Sequence, residues 1–179
     1  MASMNQSAEE LLGQLVNHLM SLEHKCKSMA SYFRNNYQEK YGIADFYAWC
    51  AQDLDKCVEH VTDYMKKSGT QVQLKEIERP FTEIYGEPIE SLEYILKEDK
   101  CLSHLMHDIH EWANAKGDTG LKDFMHNEMI GPMSAWNEQI AEMIEKLHKA
   151  NATQNLNELD KTFKSEISLI KQLREKKLI

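Results

Sequence analysis

Residues 43–68 constrain the fold most, because their apolar side chains recur at the spacing of one helix face. Successive apolar positions lie four or three residues apart: Phe46, Cys50, Leu54, Cys57, Val61 and Tyr64. This stripe predicts a long α-helix that faces the interior of a bundle. Its polar neighbours, among them Asp53, Asp55 and Glu59, flank the stripe and do not lie on it.

The same helical period occurs in most of the remaining chain. Only seven glycines and three prolines occur among 179 residues, so few positions force a helix to end. Four more helices are predicted, over about 7–34, 88–117, 119–150 and 155–177. Gly131 and Pro132 lie inside the fourth helix and should kink it, because proline removes a helical hydrogen bond.

The connections between these helices indicate an all-α bundle. A short polar turn follows the first helix, whereas residues 70–88 form a long segment with little helical character. A connection of this length is unusual inside a compact domain unless it crosses the molecule. Two helical hairpins joined by one long crossover, plus a C-terminal fifth helix, form a four-helix bundle of known layout. We expect a single domain over 1–179, with the bundle at about 7–150 and the fifth helix at about 155–177.

Charge and composition limit the partners and the compartment. A formal net charge of −8 at pH 7 disfavours nucleic acid and anionic membranes as partners. No apolar stretch reaches the length of a membrane span, and residues 1–10 lack the pattern of a signal peptide, so cytosolic localisation is expected. All four cysteines fall in or beside apolar seams, which predicts reduced, structural thiols: Cys26, Cys50, Cys57 and Cys101.

Three stretches carry a resemblance to a known family: SMASYF at 28–33, VQLKEIERP at 72–80 and LKDF at 121–124. They are similar to the first-helix, crossover and channel segments of ferritins, and the lengths between them agree without gaps from about 15 to 147. The resemblance implies the ferritin-like four-helix bundle. It further implies assembly into a hollow cage of twenty-four subunits, with iron as the stored ion.

The resemblance also assigns the ligand positions of the family's ferroxidase centre. These positions fall on Leu19, Cys26, Leu54, Cys57, Asp99 and Met133. Only Asp99 could still bind a hard metal ion, and apolar side chains at the other positions indicate a filled site. The chain is therefore expected not to be an enzyme. It resembles a light-type subunit, which would co-assemble with a heavy-type subunit that has the intact centre.

Two further metal sites follow from the resemblance. Light-type subunits nucleate mineral on acidic residues of the second helix, and Asp53, Asp55 and Glu59 are candidates for this role; an ordinary solvated helix face is the alternative.

The family's three-fold ion channel would be lined by Asp123 and His126, which share a helix face, and by His110. A ring of carboxylates and imidazoles suits Fe²⁺ or Zn²⁺. Solvent-facing side chains without a ligand are the alternative.

Two alternatives stay open at this point. Cys26, Cys57 and Met133 converge where iron would bind, and soft sulfur ligands suit Cu(I), although Cys and Met also fill ordinary cores. For the whole chain, the leading hypothesis is an iron-storage cage subunit without its own oxidation centre. The other is a ferritin-derived cage or oligomer used as a structural or chaperone-like protein.

Overall fold

The computed structural model describes residues 7–36, 42–70, 84–149 and 156–175, and within the last range the side chains of 159–169. All regular structure in these ranges is helical. The helices are α1 (Ala8–Asn36), α2 (Gly42–Lys67), α3 (Pro88–Lys116), α4 (Thr119–Phe124), a π-helical segment (Met125–Ile130), α5 (Gly131–Lys149) and α6 (Leu156–Glu175). The all-α prediction is confirmed.

Local chemistry explains where these helices begin and end. The Ser7 hydroxyl accepts the Glu10 backbone N–H at 3.1 Å, and the Glu10 carboxylate accepts the Ser7 backbone N–H at 2.9 Å. This reciprocal pair satisfies two N–H groups that have no partner inside α1. At the other end of α3, Gly117 adopts a left-handed conformation with φ of 73°, which favours glycine as the stop residue.

Contacts between helix ends fix the direction of each helix. Arg34 near the end of α1 donates to Asp45 near the start of α2 at 2.9 Å, so these helices are antiparallel. The ring of Tyr85, just before α3, lies 5.7 Å from that of Tyr32 near the end of α1. The start of α3 therefore lies beside the start of α2.

The end of α2 and the start of α3 consequently lie at opposite ends of the bundle, as one long crossover between them requires. The central residues of the connecting segment, 71–83, lie outside the described part of the chain. They include the VQLKEIERP stretch.

The predicted fourth helix is continuous through α4, the π-helical segment and α5. Pro132 has no N–H for the carbonyl four residues earlier, and its ring would crowd that carbonyl in a regular α-helix. The π-helical segment ends at Ile130, two residues before this proline. Its wider turn accommodates the missing hydrogen bond and the crowded carbonyl. The interruption predicted at Gly131 and Pro132 is thus a local change of helix type.

The buried positions agree with most of the predicted seams. On α1 the apolar residues at helical spacing are all buried: Leu15, Leu19, Leu22, Cys26, Met29 and Phe33. On α2, Cys57 and Tyr64 are only half-buried, and Met65 is fully buried in the core. Of the four cysteines predicted in or beside apolar seams, Cys26 and Cys50 are buried, Cys57 is half-buried and Cys101 is exposed. Cys101 lies two residues after the buried Asp99, and a two-residue step on a helix reaches nearly the opposite face.

Helix α6 packs along the first half of α2. The ring of Phe163 lies 5.4 Å from that of Phe46, and the Asp160 carboxylate accepts the Gly42 backbone N–H at 2.6 Å. A Cβ atom on Gly42 would lie 2.6 Å from the Asp160 carbonyl oxygen. Glycine is therefore required at the start of α2 for α6 to approach this closely.

None of the helices in the described ranges combines the length and the apolar character that a membrane crossing needs.

We expect Gly42→Ala to loosen α6 while leaving the bundle folded, because the added methyl group overlaps backbone and side-chain atoms of Asp160. Hydrogen exchange should become faster in α6 and stay slow in α1 and α3. Gly120→Ala is the matched control, since its Cβ would meet no atom nearer than 3.6 Å. Equal exchange rates in α6 of both variants would contradict this assignment.

Candidate functional site

A cavity of about 70 Å³ lies inside the bundle, between α1, α2, α3 and the π-helical and α5 part of the fourth helix. Its walls are mainly apolar and rich in sulfur. The lining residues are Cys26, Cys50, Asp53, Leu54, Cys57, Ile95, Asp99, Met106, Glu128, Met129, Pro132, Met133 and Trp136.

Five of the six positions assigned to the ferroxidase centre line this cavity: Cys26, Leu54, Cys57, Asp99 and Met133. Leu19 is fully buried but packs elsewhere in the core. The structure adds Cys50, Met106 and Met129, which the sequence did not single out as site residues. Cys50 is four residues before Leu54, and Met129 is four before Met133, so helical spacing could have identified both.

Asp99 is the buried carboxyl group among the residues that line the cavity, and it is 2% exposed. The Trp136 indole Nε1–H donates to Asp99 Oδ2 at 2.9 Å. Burial raises the pKa of Asp99 to about 7, the Trp136 hydrogen bond opposes this, and nearby Glu98 raises it further. The hydrogen-bond partner of Asp99 cannot be read from the sequence, and the structure shows that it is Trp136.

Aromatic packing holds Trp136 in place. Its ring stacks on Phe46 at 6.0 Å and contacts Trp49 at 5.6 Å, so α2 orients the indole that α5 provides. On the other side of the core, Tyr47 and Ser91 share a 2.7 Å hydrogen bond between their hydroxyl groups. Both pairs join different helices through buried polar atoms, which fixes their relative positions.

The Cys26 thiol is held as a protonated group. Burial raises the pKa of Cys26 well above its usual value, and the nearby Asp99 carboxyl raises it further. A protonated thiol is a poor nucleophile, so Cys26 does not have the character of a catalytic cysteine. Within the described ranges, no three His, Cys, Asp or Glu side chains are grouped closely enough to hold a metal ion.

Two residues of the predicted channel, Asp123 and His126, lie near the start of the fourth helix. His110 on α3 and His126 on the π-helical segment have ring centroids 5.8 Å apart. Asp123 and His126 are exposed, and His110 is half-buried. The two imidazoles thus approach each other from different helices. Asp123 lies three residues before His126, on the same face of the fourth helix.

The acidic residues of α2 are divided between two sides of the helix. Asp53 lines the cavity, whereas Asp55 lines an open groove between α1 and α2, together with Lys27. Glu59 is exposed one turn further along. The three carboxylates that were candidates for mineral nucleation therefore do not share a single face.

The buried carboxyl group predicts a pH dependence of stability. Folded Asp99 has a pKa of about 7, against 3.8 for the ordinary carboxyl group, so the folded protein binds this proton more tightly. Its stabilising effect is complete below pH 3.8 and is lost as pH rises through 7. The free energy of unfolding should fall by on the order of 4 kcal/mol across this window.

Chemical denaturation between pH 5 and 8.5 measures the affected part of the window. Asp99→Asn should flatten the profile and stabilise the protein at pH 8.5 relative to wild type, because no buried charge forms. Asp63→Asn, an exposed carboxylate on α2, should retain the wild-type profile. A wild-type stability that is constant from pH 5 to 8.5 would contradict the assignment.

Comparison with known proteins agrees with this architecture. The ferritin-like domain family matches residues 9–150. The middle subunit of ferritin from Salmo salar is 22% identical over 151 residues, which cover 84% of this chain and 86% of that protein. The lower subunit of ferritin from Aquarana catesbeiana is 24% identical over 145 residues, covering 81% and 84%. The ferritin light chain of Bos taurus is 22% identical over 122 residues, covering 68% and 70%.

The family match covers most of the chain, including all four helices of the bundle and the residues that line the cavity. It confirms the resemblance inferred from the 28–33 and 121–124 stretches. Together with the all-helical architecture, it shows that the chain belongs to the ferritin-like domain family.

Proposed function

We propose that this chain is an iron-storage subunit of the ferritin type that does not oxidise iron at a centre of its own. Its similarity to middle, lower and light-chain subunits of ferritin supports the storage role. One observation supports the proposal that the chain lacks an oxidation centre of its own. The cavity wall at the assigned ligand positions is rich in sulfur and largely apolar. In this proposal, iron is the cargo of an assembled particle.

The donor chemistry of the cavity does not fit a pair of iron ions. Two irons held close together need several oxygen or imidazole ligands from different helices, because hard and borderline ions prefer these donors. Asp99 is the buried carboxyl group present, and its oxygen already accepts a hydrogen bond from Trp136. Asp53 and Glu128 lie at the edge of the cavity and are half-buried and exposed, respectively. One buried carboxyl group cannot organise two ions.

We further propose that cations enter the particle near Asp123, His126 and His110. The 5.8 Å separation of the two imidazole rings supports this, since both could contact one divalent ion after small side-chain rotations. Repetition around a three-fold axis would multiply these donors into a ring. Fe²⁺ is the physiological ion in this proposal, and Zn²⁺ is an alternative occupant and a convenient probe.

The proposed particle is a cage of twenty-four subunits, in which a heavy-type subunit supplies the oxidation step. The order and direction of the four bundle helices support the ferritin-like subunit fold on which this proposal rests. Helix α6 packs along α2 through Phe46 and Phe163. Co-assembly would explain how a subunit without the oxygen-donor set can still store iron.

One observation favours a second candidate, a cage or oligomer with a structural or chaperone-like role. Asp53 and Asp55 line different sides of α2, so the acidic surface that nucleates mineral is not reproduced on one face. Iron measured in particles purified from the native source distinguishes the two candidates. Iron well above one ion per chain supports storage, and iron-free particles support the alternative.

The pure protein should oxidise Fe²⁺ at the rate of buffer alone, because its cavity offers too few oxygen or nitrogen donors. Stopped-flow absorbance measures this rate. A variant that combines Leu19→Glu, Leu54→Glu, Cys57→His and Asp99→Glu should gain partial activity. A matched control adds the same two negative charges at exposed positions, through Gln14→Glu and Gln52→Glu. Fast, saturable oxidation by the unmodified chain that Asp99→Ala abolishes would refute the proposal.

The assembled protein should bind Zn²⁺ at the channel residues, and light scattering should give the mass of a cage. Replacing His126 with alanine should lower zinc binding at least tenfold, since one of the two facing imidazoles is lost. His104→Ala removes an exposed histidine of α3 away from this pair and is the control. A monomer or dimer mass would contradict the assembly, and equal zinc affinity in both variants would contradict the channel.

A further inference from the structure

Sulfur is concentrated around the cavity far beyond its share of the chain. The chain has four cysteines and ten methionines, and six of these fourteen residues line this single cavity of about 70 Å³. They are Cys26, Cys50, Cys57, Met106, Met129 and Met133. Core packing alone requires only apolar volume at these positions. Leucine or isoleucine would supply this volume, and fewer side-chain conformations would be lost on folding than with methionine.

We propose that this cavity binds one soft monovalent cation, Cu(I), through the sulfur atoms of Cys26, Cys57 and Met133, with Met129 beside them. Thiolate and thioether donors select Cu(I) over hard divalent ions. This inference concerns the interior of the bundle and does not depend on whether the assembled protein stores iron.

The donors reach the cavity from several directions. Cys26 is on α1, Cys57 on α2, Met129 on the π-helical segment and Met133 on α5. The π-helical segment and α5 belong to one continuous helix, so the donors come from three helices. Donors on three helices restrict the coordination geometry, as in other metal sites of helix bundles. Thiols, imidazoles and carboxylates alone do not form a group of three in the described ranges. A thioether must therefore complete the site, and the three rotatable bonds of methionine allow its sulfur to move toward an ion.

Charge balance favours a monovalent ion. When Cu(I) replaces the proton of one cysteine thiol, a Cu–S bond forms, the S–H bond breaks and one proton leaves to solvent. The resulting complex of Cu⁺, one thiolate and neutral sulfur donors has no net charge. A divalent ion with the same ligands would leave a positive charge in an apolar cavity, which is costly.

The mouth of the cavity provides a route for a cation. Cys57 is half-buried, whereas Cys26 is 1% exposed, so the sulfur donors extend from the edge of the cavity to its interior. Asp53 and Glu128 line the same edge from α2 and the π-helical segment. Their carboxylates create a negative potential that attracts a cation toward the first thiol.

The experiment titrates the full-length, reduced protein with Cu(I) under anaerobic conditions, in competition with a coloured Cu(I) chelator. We expect one Cu(I) per chain, release of one proton per ion, and a sulfur-only first shell by X-ray absorption. Cys26→Ser, Cys57→Ser and Met133→Leu should each weaken binding at least tenfold. Met133→Leu nearly preserves volume and apolar character, so it tests the thioether without disturbing the fold.

Cys101→Ser is the matched control, because Cys101 is an exposed thiol of α3 outside the cavity. It should bind Cu(I) with wild-type affinity and stoichiometry, and circular dichroism should show that every variant is folded. Loss of binding in Cys101→Ser alone, or nitrogen ligands in the first shell, would overturn the proposal. Unchanged affinity in Met133→Leu would overturn the thioether ligation, and failure of the wild type to compete with the chelator would overturn the site.

Discussion

The hydrogen bond from Trp136 to Asp99 is the interaction on which the interior of this bundle depends. It joins α5 to α3 across 2.9 Å and gives the buried carboxyl group a partner within the protein. The same indole packs on Phe46 of α2, and Phe46 in turn packs on Phe163 of α6. A buried polar contact therefore lies at the centre of an aromatic chain that connects four helices, and its geometry sets where the cavity lies.

The cavity wall holds mostly apolar and sulfur-containing side chains, with one buried carboxyl group among them. Oxygen donors at converging positions repel one another unless an ion or proton neutralises them. Cysteine, leucine and methionine at these positions remove that repulsion and bury apolar area. The cysteines and methionines also bring polarisable sulfur, which has its own metal preference. The two proposals, no oxidation of iron in the cavity and binding of Cu(I) there, therefore rest on the same side chains.

Helix boundaries and seams could be predicted well from the sequence, because period, capping and glycine stops are local properties. The capping box of Ser7 and Glu10 and the stop at Gly117 are examples. The convergence of Cys26, Asp99 and Met133 followed from the family resemblance. Contacts between distant helices could not be read in this way. The Trp136 partner of Asp99 is 37 residues away. The division of Asp53 from Asp55, by contrast, follows from a two-residue step on one helix and could have been predicted.

The π-helical segment has a consequence for how α5 faces the bundle. Met125, Met129 and Met133 follow at a constant step of four residues, and all three are buried. In an α-helix of 3.6 residues per turn, such a stripe drifts around the axis. The wider π turn needs more residues per turn and corrects this drift. Deleting one residue there would rotate α5 by about 100° about its axis. Met133 and Trp136 would then turn away from their neighbours together. A single substitution cannot produce this effect, because it changes one side chain and leaves the direction of the others unchanged.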